Sequence, residues 1–423
     1  PNKNSIDALK ISDGFIVTAM FWFVLGIVGA IPFIAYGISP VNAFFESTSG
    51  ITTTGATVLV GLDDLPKSLL IYRQMLQWVG GMGLIILVVA IMPTLGIGGG
   101  QLFKMEVPSF ESSQRLTPRI TQNAKALWQI YLFLTISCLL AYLISGMGLF
   151  DAFAHALSTV AIGGFSTHDA SIGYFDSFAV EVVCIIFMLM SATSFSLHYA
   201  ALYERKFLKY LYSEELKFFL YVIAIFLTLT IICFATFSML DWDTLRKSIF
   251  QTISIVTTSG FTIDDYSLWP GYIPFLLLVG AFIGACSGSV GGGLKSWRVL
   301  IILDQARQEI IKTIHPNAVV TSRIGKKVVD ASISEKVWGF FAVYVITFIV
   351  LLVLVLMSGL DFESSFSAVG ATLNNLGPGL GEVSSSYESL SSFTKIVLSL
   401  AMILGRLEIF TLLVLLTPAF WKR

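Results

Sequence analysis

Long apolar stretches recur along the chain at a length that suits a lipid bilayer. A helix needs about 20 apolar residues to cross the hydrocarbon core, and eight stretches approach or reach that length. Only helices and closed barrels satisfy their own backbone hydrogen bonds inside lipid, so the pattern predicts an all-α membrane protein. The stretches cover residues 14–36, 76–93, 126–144, 182–200, 218–240, 272–283, 338–357 and 396–418, approximately.

The composition agrees with lipid as the main solvent. Hydrophobic residues make up 55% of the chain and charged residues 13%, and the mean hydropathy is +0.82, outside the range of an ordinary soluble domain. All four cysteines lie in apolar stretches, and the four histidines form no cluster with cysteines or carboxylates. Disulfides, a metal centre, a bound cofactor and an enzymatic function therefore have no support.

Basic and acidic residues alternate from loop to loop. Basic loops lie on the cytoplasmic side of membrane proteins, so the alternation predicts a multi-pass protein with its N- and C-termini in the cytoplasm. The basic residues are Lys3 and Lys10, then Lys104, Arg115, Arg119 and Lys125, then Arg205, Lys206, Lys209 and Lys217, then Lys295 to Lys336, and Lys422 and Arg423. The acidic pairs are Asp63 and Asp64, Asp169 and Asp176, Asp264 and Asp265, and Glu382 and Glu388.

A short amphipathic segment followed by a polar, glycine-containing tract occurs four times. The copies cover residues 40–57, 151–167, 245–262 and 361–379, and they align on glycines roughly one hundred residues apart. Two spans plus a loop account for that spacing. The chain is therefore expected to form four helix–pore loop–helix repeats with pseudo-fourfold symmetry around one central pore. The aligned glycines are Gly55, Gly164, Gly260 and Gly377.

Each amphipathic segment is about 10–14 residues long, a length typical of helices that enter a membrane without crossing it. Three begin near a carboxylate that can cap a helix: Asp151, Asp241 or Asp243, and Asp361. The C-terminal end of such a half-helix carries a negative partial charge that favours a cation. Irregular backbone is tolerated at membrane depth only where protein buries it or water lines it. The four tracts together therefore predict a cation pore.

Longer motifs carry a family resemblance: TTTGAT at 52–57, IGGFSTHDAS at 162–171, NNLGPGLGEV at 374–383 and GRLEIFTLLVLLTP at 405–418. They resemble the bacterial Trk/Ktr potassium uptake proteins, specifically the Trk-type translocating subunit, over essentially the whole chain. The resemblance implies potassium uptake across the bacterial inner membrane, a homodimer, and a cytosolic nucleotide-binding regulatory ring on the inner loops. That subunit usually has two further N-terminal helices, which this sequence does not include.

The family's selectivity filter has one glycine per repeat, and the preceding residues supply further carbonyl oxygens. A glycine in the first loop accompanies potassium preference in this family, so Gly55 favours potassium over sodium. One glycine per strand implies modest discrimination. The resemblance assigns the filter to Thr53, Thr54 and Gly55, to Ile162, Gly163 and Gly164, to Thr258, Ser259 and Gly260, and to Asn375, Leu376 and Gly377.

The repeats divide the sequence into five parts. Residues 1–97 form repeat 1, residues 98–202 repeat 2, and residues 203–296 repeat 3 with a broken inner helix. Residues 297–335 are expected to form a cytoplasmic connector, and residues 336–423 form repeat 4.

A glycine-rich run, GACSGSVGGGLKSWR, follows the sixth apolar stretch from Gly284 to Arg298. Each glycine lowers helix propensity by about 1 kcal/mol relative to alanine, so the helix is expected to break there. The resemblance implies an intramembrane gate beneath the filter, while close packing of small residues between helices is the alternative. The gate residues are Gly284, Ser287, Gly288, Ser289, Gly291, Gly292 and Gly293.

Arg406 interrupts the last apolar stretch, where an arginine usually faces a cavity or a partner. The resemblance places it in the pathway, as a barrier to cations or as a hydrogen-bond donor to the glycine-rich run. A pair with Glu408 or a position at the inner interface is the alternative. Glu46 could add negative potential near the pore or be a structural carboxylate. His168 and Asp169 are expected to be solvated.

Two other classes of function compete with a gated channel. A potassium symporter with protons or sodium would usually show inverted repeats and intramembrane acids, whereas these repeats are parallel and acids are scarce. A membrane enzyme would need a nucleophile–base pair or metal cluster in the spans. The glycine-rich run lacks the order of a phosphate-binding loop, and the basic segment 295–336 lacks the aromatics of a nucleic-acid site.

Overall fold

Most of the residues that the structure describes are helical. The computed structural model describes residues 11–83, 119–318, 321–325 and 327–421. Within those ranges, strands occur only in one antiparallel hairpin of two-residue strands, so the all-α prediction is confirmed. In order, the elements are α1 (Ile11–Ala35), α2 (Pro40–Ile51), α3 (Lys67–Gly81), α4 (Arg119–Ile144), α5 (Leu149–Val160), α6 (Phe178–Ala192), α7 (Phe195–Leu202), α8 (Leu208–Tyr212), α9 (Glu214–Thr236), α10 (Trp242–Val256), α11 (Ile273–Ile283), α12 (Ser296–Ile314), β1 (Arg323–Ile324), β2 (Lys327–Val328), α13 (Ala331–Leu356), α14 (Phe362–Leu373), α15 (Ser392–Arg406), α16 (Phe410–Leu416) and α17 (Pro418–Trp421).

Each repeat has one long apolar helix on its outside. The four outer helices, α1, α4, α9 and α13, are the described helices that by themselves are long and apolar enough to cross a membrane. Between 28% and 39% of each apolar window is buried, and large side chains such as Ile27, Phe133 and Ile346 are more than half exposed. These exposed apolar faces are the surface that lipid would cover.

The inner helices are shorter or broken, which corrects two predicted spans. The stretch 182–200 was expected to be one helix, but α6 and α7 meet at 95° around Thr193 and Ser194. The stretch 396–418 is likewise divided between α15 and α16, with Glu408 and Ile409 in the left-handed backbone region. Residues 84–93 of the second stretch lie outside the described part, as do Lys3, Lys10, Lys104, Arg115, Lys326, Lys422 and Arg423.

The short helices α2, α5, α10 and α14, called the pore helices below, are 12 to 15 residues long. Asp241 caps α10 by accepting from Thr244 N at 2.7 Å, and Asp361 caps α14 in the same way. Asp151 does not cap α5. It lies within the first turn, where its carboxylate accepts from Thr167 Oγ1 at 2.8 Å, because Gly148 precedes the helix instead.

Contacts between neighbouring repeats close a ring. The inner helix α3 packs against the pore helix α5 of the next repeat, and α6 packs against α10 in the same relation. The third inner helix, α11, packs against α14, and the fourth, α15, returns to α2 of the first repeat. The relation is the same four times and returns to its start, as the predicted pseudo-fourfold arrangement requires.

A buried ion pair within the first repeat also contacts the second repeat. Arg73 Nε donates to Glu46 Oε1 at 2.7 Å, and both side chains are at most 1% exposed. Glu46 also accepts from Val58 N at 2.9 Å, while Arg73 Nη1 donates to the Ser166 carbonyl of the second repeat at 3.1 Å. Arg73 further lies over the ring of Phe165, with 4.2 Å to the centroid. Of the two roles open to Glu46, the structure favours the structural one.

Breaking this pair from one side is expected to destabilise the fold strongly. Arg73→Met leaves the Glu46 carboxylate buried without a counter-charge, a change that typically costs about 3–5 kcal/mol. Adding Glu46→Gln should restore part of the loss. Heating the detergent-solubilised protein and measuring the folded fraction by size exclusion gives the melting temperatures. Lys312→Met, which removes an exposed pair with Glu309, is the control, and an equal effect of Lys312→Met and Arg73→Met would contradict the prediction.

Candidate cation pathway

The tract after each pore helix adopts the same unusual backbone in all four repeats. The glycine of each tract has a positive φ, between 77° and 101°. The residue two positions earlier also has a positive φ, between 51° and 62°, although none of these four residues is glycine. The residue between them is not left-handed, so the backbone alternates in hand. Strained conformations of this kind persist only where surrounding structure enforces them. The left-handed non-glycine residues are Thr53, Ile162, Thr258 and Asn375.

The four glycines lie in a closed ring of backbone contacts. A Cβ added to Gly55 would lie 2.2 Å from the carbonyl oxygen of Gly163 in the next repeat. A Cβ added to Gly164 would lie 2.3 Å from the Ser259 oxygen, and one added to Gly260 would lie 2.1 Å from the Leu376 oxygen. A Cβ added to Gly377 would lie 2.7 Å from the Thr54 oxygen, which completes the circle. No side chain fits at these four positions, because each faces a neighbouring strand's carbonyl group.

The ring forms the floor of one cavity of about 320 Å³. All four ring glycines line it, together with Asp169, Asp264 and Asp265 and with Arg73, whose charge is paired with Glu46. Carboxylates in a cleft with low-dielectric walls raise the local concentration of cations. The cavity therefore joins a negative entrance to a ring of backbone oxygens.

Side chains behind the tracts hold them in place, and the sequence did not reveal these partners. Tyr387 Oη donates to the Gly377 carbonyl at 2.7 Å, and Tyr266 Oη donates to the Gly379 carbonyl at 2.9 Å. Asn375 Nδ2 donates to Thr54 Oγ1 at 3.0 Å, which joins the fourth tract to the first. Lone tyrosines in polar loops give no periodic signal, so only the three-dimensional structure identifies these contacts.

His168 is not solvated, contrary to expectation. Its side chain is 13% exposed, stacks on Tyr174 with ring centroids 3.4 Å apart, and hydrogen-bonds through Nδ1 to Asp63. That hydrogen bond holds the pKa of the Asp63 carboxyl below its usual value. Asp169 is exposed but accepts from Leu62 N at 2.9 Å. These contacts join the loops that follow the first two tracts.

The glycine-rich loop, defined here as residues 284–295, lies directly against the tracts. Helix α11 ends at Ile283, and Gly284 follows with a φ of 72°. Gly292 N donates to Thr258 Oγ1 at 2.6 Å, and Gly293 N donates to the Asn374 carbonyl at 3.2 Å. A Cβ on Gly292 would lie 2.0 Å from the Asn374 oxygen. Small residues in this loop therefore allow contact with the third and fourth repeats.

The glycine-rich loop also contacts the broken inner helix of the second repeat. Phe195 N donates to the Gly288 carbonyl at 3.0 Å, and Cys286 N donates to the Ala192 carbonyl at 3.1 Å. Ser287 N donates to the buried Glu215 carboxylate at 2.5 Å. The break between α6 and α7 thus provides backbone groups that the loop needs. The small polar run SATSFS at 191–196 is the signal in the sequence that could have revealed this break.

Arg406 completes the contacts of the loop. Its Nη1 donates to the Val290 carbonyl at 2.9 Å, and its Nη2 donates to the Gly80 carbonyl of the first repeat at 3.1 Å. Glu408 instead pairs with Arg298. Among the expected roles, donation to the glycine-rich run agrees with this geometry, whereas pairing with Glu408 does not.

The fold and the ring define a multi-pass membrane protein of four pore-loop repeats. The profile of the TrkH family, described as a cation transport protein, matches residues 2–423. The chain therefore belongs to the TrkH family. Because this is a family of transporters, the expectation that the chain is not an enzyme is confirmed.

Relatives match over the full length of the chain. The Trk system potassium uptake protein TrkH of Halomonas elongata is 52% identical over 429 residues, covering 100% of this chain and 89% of that protein. The protein of the same name from Escherichia coli is 47% identical over 435 residues, with 100% and 88% covered. The crystal structure of the potassium transporter TrkH from Vibrio parahaemolyticus has a TM-score of 0.89 at 46% identity, and covers 100% of this chain and 88% of that one.

If the ring binds potassium in preference to sodium, a side chain placed in the ring is expected to remove that preference. Gly55→Ser places a side chain against the Gly163 oxygen and strains a backbone with a φ of 84°. A ligand that binds the folded state stabilises it by an amount that grows with the ratio of its concentration to its dissociation constant, so stabilisation by potassium should fall to the level given by sodium. Melting temperatures across a series of potassium and sodium concentrations measure this. Gly61→Ser is the control, since Gly61 also has a positive φ but has open space around it. A retained potassium preference in Gly55→Ser would refute the role of the ring.

Proposed function

We propose that this protein takes up potassium across the bacterial inner membrane through a gated pore whose selectivity filter is the ring of four tracts. One observation carries the proposal: each ring glycine faces the carbonyl oxygen of the next tract, and the circle closes on itself. The potassium uptake named for the relatives agrees with it. The negative entrance cavity supports cations as the transported class.

The filter residues are the three that end in each ring glycine. The alternating hand of the backbone turns successive carbonyl groups to one side, which suits the replacement of a cation's hydration shell. The C-terminal ends of four pore helices point toward the same place and add negative partial charge. The set is Thr53, Thr54, Gly55, Ile162, Gly163, Gly164, Thr258, Ser259, Gly260, Asn375, Leu376 and Gly377.

The glycine-rich loop is the gate in this proposal. Two kinds of observation support it: the loop touches the ends of two pore helices, and it forms hydrogen bonds with the second, third and fourth repeats. Arg406, which bonds to the loop, also bonds to Gly80 of the first repeat. An irregular segment at membrane depth with so many glycines can change its backbone conformation at low cost. Arg406 holds the loop by bonding to Val290 while also bonding to the first repeat. The movable residues are Gly284, Ser287, Gly288, Ser289, Gly291, Gly292 and Gly293.

The division of the chain into repeats at 1–97, 98–202, 203–296 and 336–423, with a connector at 297–335, is part of the proposal. The connector contains α12 and the hairpin, which pack around Ile301, Ile324 and Val337. Its basic residues support a cytoplasmic position, and with it cytoplasmic N- and C-termini. We propose that a nucleotide-binding regulatory ring docks on this side and that two copies of the chain form a homodimer.

A reversal potential distinguishes the channel from a symporter. Purified protein in planar bilayers under a potassium gradient should give a potential that follows the Nernst relation for potassium and does not change with a proton or sodium gradient. A channel conducts only along the gradient of its own ion, whereas coupling adds the driving force of the second ion. A shift of the reversal potential with pH at constant potassium would favour the symporter instead.

Removing the guanidinium of Arg406 is expected to raise potassium leak. Arg406→Ala deletes the bonds to Val290 and Gly80, so the loop should leave its position more often, and rubidium uptake into proteoliposomes without a regulator should increase severalfold. Arg406→Lys is the matched variant. It keeps the charge but cannot reach two carbonyl groups as a planar fork does. Leak in both variants would indicate that the two hydrogen bonds of Arg406 hold the loop closed. Leak in Arg406→Ala alone would indicate that the positive charge acts as an electrostatic barrier. Leak in neither variant would contradict the role of the loop as a gate.

A further inference from the structure

The second tract differs from the other three at the position before its ring glycine. Thr54, Ser259 and Leu376 carry side chains there, whereas the second tract has Gly163. The φ of Gly163 is not positive, so the backbone itself does not require glycine. The reason is space. A Cβ on Gly163 would lie 2.3 Å from Cδ and 2.4 Å from Oε1 of Gln77.

Gln77 comes from the inner helix α3 of the first repeat and fills the place of the missing side chain. Its Nε2 donates to the Gly163 carbonyl at 2.5 Å. Its Oε1 accepts from Ser158 Oγ at 2.5 Å and from Phe165 N at 3.2 Å. The side chain is fully buried. Two donors to Oε1 fix the orientation of the amide, so the Nε2 group is aimed at the carbonyl.

This hydrogen bond makes the ring chemically unequal. The Gly163 oxygen is the ring oxygen that faces Gly55. Within the described residues, the three equivalent oxygens, those of Thr54, Ser259 and Leu376, accept no hydrogen bond. A carbonyl oxygen has two lone pairs. One pair of the Gly163 oxygen is therefore occupied by an amide donor, and its direction is set by a residue of another repeat.

The fourth repeat lacks this arrangement. Gly80 and Gly405 occupy corresponding places, since a Cβ on either would strike the carbonyl oxygen of the last residue of its own pore helix, at 1.8 Å and 2.1 Å. Three residues before Gly405 is Met402, an apolar residue, and three before Gly80 is Gln77. Of these two inner helices, the one that carries an amide at this position is the one that packs on the tract with two adjacent glycines.

We propose that Gln77 is a positioning residue for cation discrimination: by holding the Gly163 carbonyl, it fixes the tract that has two adjacent glycines and sets how strongly one ring oxygen can bind a cation. The inference rests on the proposed filter and deepens it. Without the amide, Gly163 and Gly164 would be free to rotate their peptide groups, because glycine has the widest backbone freedom. A ring with one mobile oxygen tolerates ions of different radius.

Gln77→Leu is expected to lower the discrimination between potassium and sodium about fivefold, the effect of losing one hydrogen bond of ordinary strength. The readout is the ratio of the potassium and sodium concentrations that raise the melting temperature by the same amount, since that ratio equals the ratio of the two dissociation constants and does not depend on whether the gate is open. Rubidium and sodium uptake into proteoliposomes is the second readout. A merely structural role would lower the melting temperature in choline and leave the ratio unchanged.

Gln74→Leu is the matched control. Gln74 is on the same helix and is also fully buried, yet within the described part of the chain neither polar atom of its side chain has a hydrogen-bond partner. Its replacement should leave the ratio as it is. A change of ratio equal to that of Gln77→Leu would show a general effect of polarity in α3, and would overturn the inference.

A swap tests the contact without relying on Gln77→Leu alone. Gly163→Ser gives the second tract the residue that the third has as Ser259, and the added side chain should collide with Gln77 and reduce discrimination. Adding Gln77→Ala removes the collision but also the amide, so the ratio should recover only in part. Full recovery to the ratio of the unmodified protein would overturn the inference, because discrimination would then not need the amide, whether or not Gln77→Leu yields folded protein.

The outcomes separate this inference from the proposed function. A reduced ratio in both Gly55→Ser and Gln77→Leu supports the filter and the role of Gln77. A reduced ratio in Gly55→Ser with an unchanged ratio in Gln77→Leu keeps the filter and overturns the role of Gln77. An unchanged ratio in Gly55→Ser removes the filter, and the inference with it.

Discussion

Four strands of irregular backbone meet so closely at the centre of the molecule that none has room for a Cβ at its point of contact. Each ring glycine packs on the carbonyl group of the next strand, and the distances leave no tolerance for a methyl group. Such backbone is stable at membrane depth only if its polar groups find partners, water or ions. The tyrosines behind the strands, the buried pair of Glu46 and Arg73, and the pore helices all supply that support.

The four repeats share this arrangement but divide the remaining work unequally. The first two are joined by Arg73, which pairs with Glu46 and donates to the Ser166 carbonyl, and by the Gln77 amide at the ring. The third provides the glycine-rich loop, and the fourth provides Arg406, which reaches it. The second also contributes backbone groups to the loop through the break before Phe195. A single chain permits such differences, because each repeat has its own sequence, whereas identical subunits would have to share every substitution.

The sequence predicted those features that a repeat or a composition encodes. The alignment of the four glycines follows from the repeat spacing, and the four pore helices follow from the length of the amphipathic segments. The break after Ile283 follows from the low helix propensity of glycine. The bend at Thr193 and Ser194 was missed because its flanking residues are apolar enough to read as one span. Partners such as Gln77 and Tyr387 were missed because they are isolated residues whose roles depend on contacts far apart in sequence. His168 was misjudged because a loop position says nothing about the tyrosine on which it stacks.

Ring closure has a consequence for how the protein is made. The last contact joins Gly377 of the fourth repeat to Thr54 of the first, so it pairs the earliest and latest pore segments to leave the ribosome. Until the fourth tract is present, the third tract and the first tract each lack one of their two neighbours in the ring. Contacts between such distant segments form slowly, and exposed polar backbone in lipid is costly. The complete ring therefore needs the tract of the fourth repeat, and no length of chain that stops before Gly377 can close it.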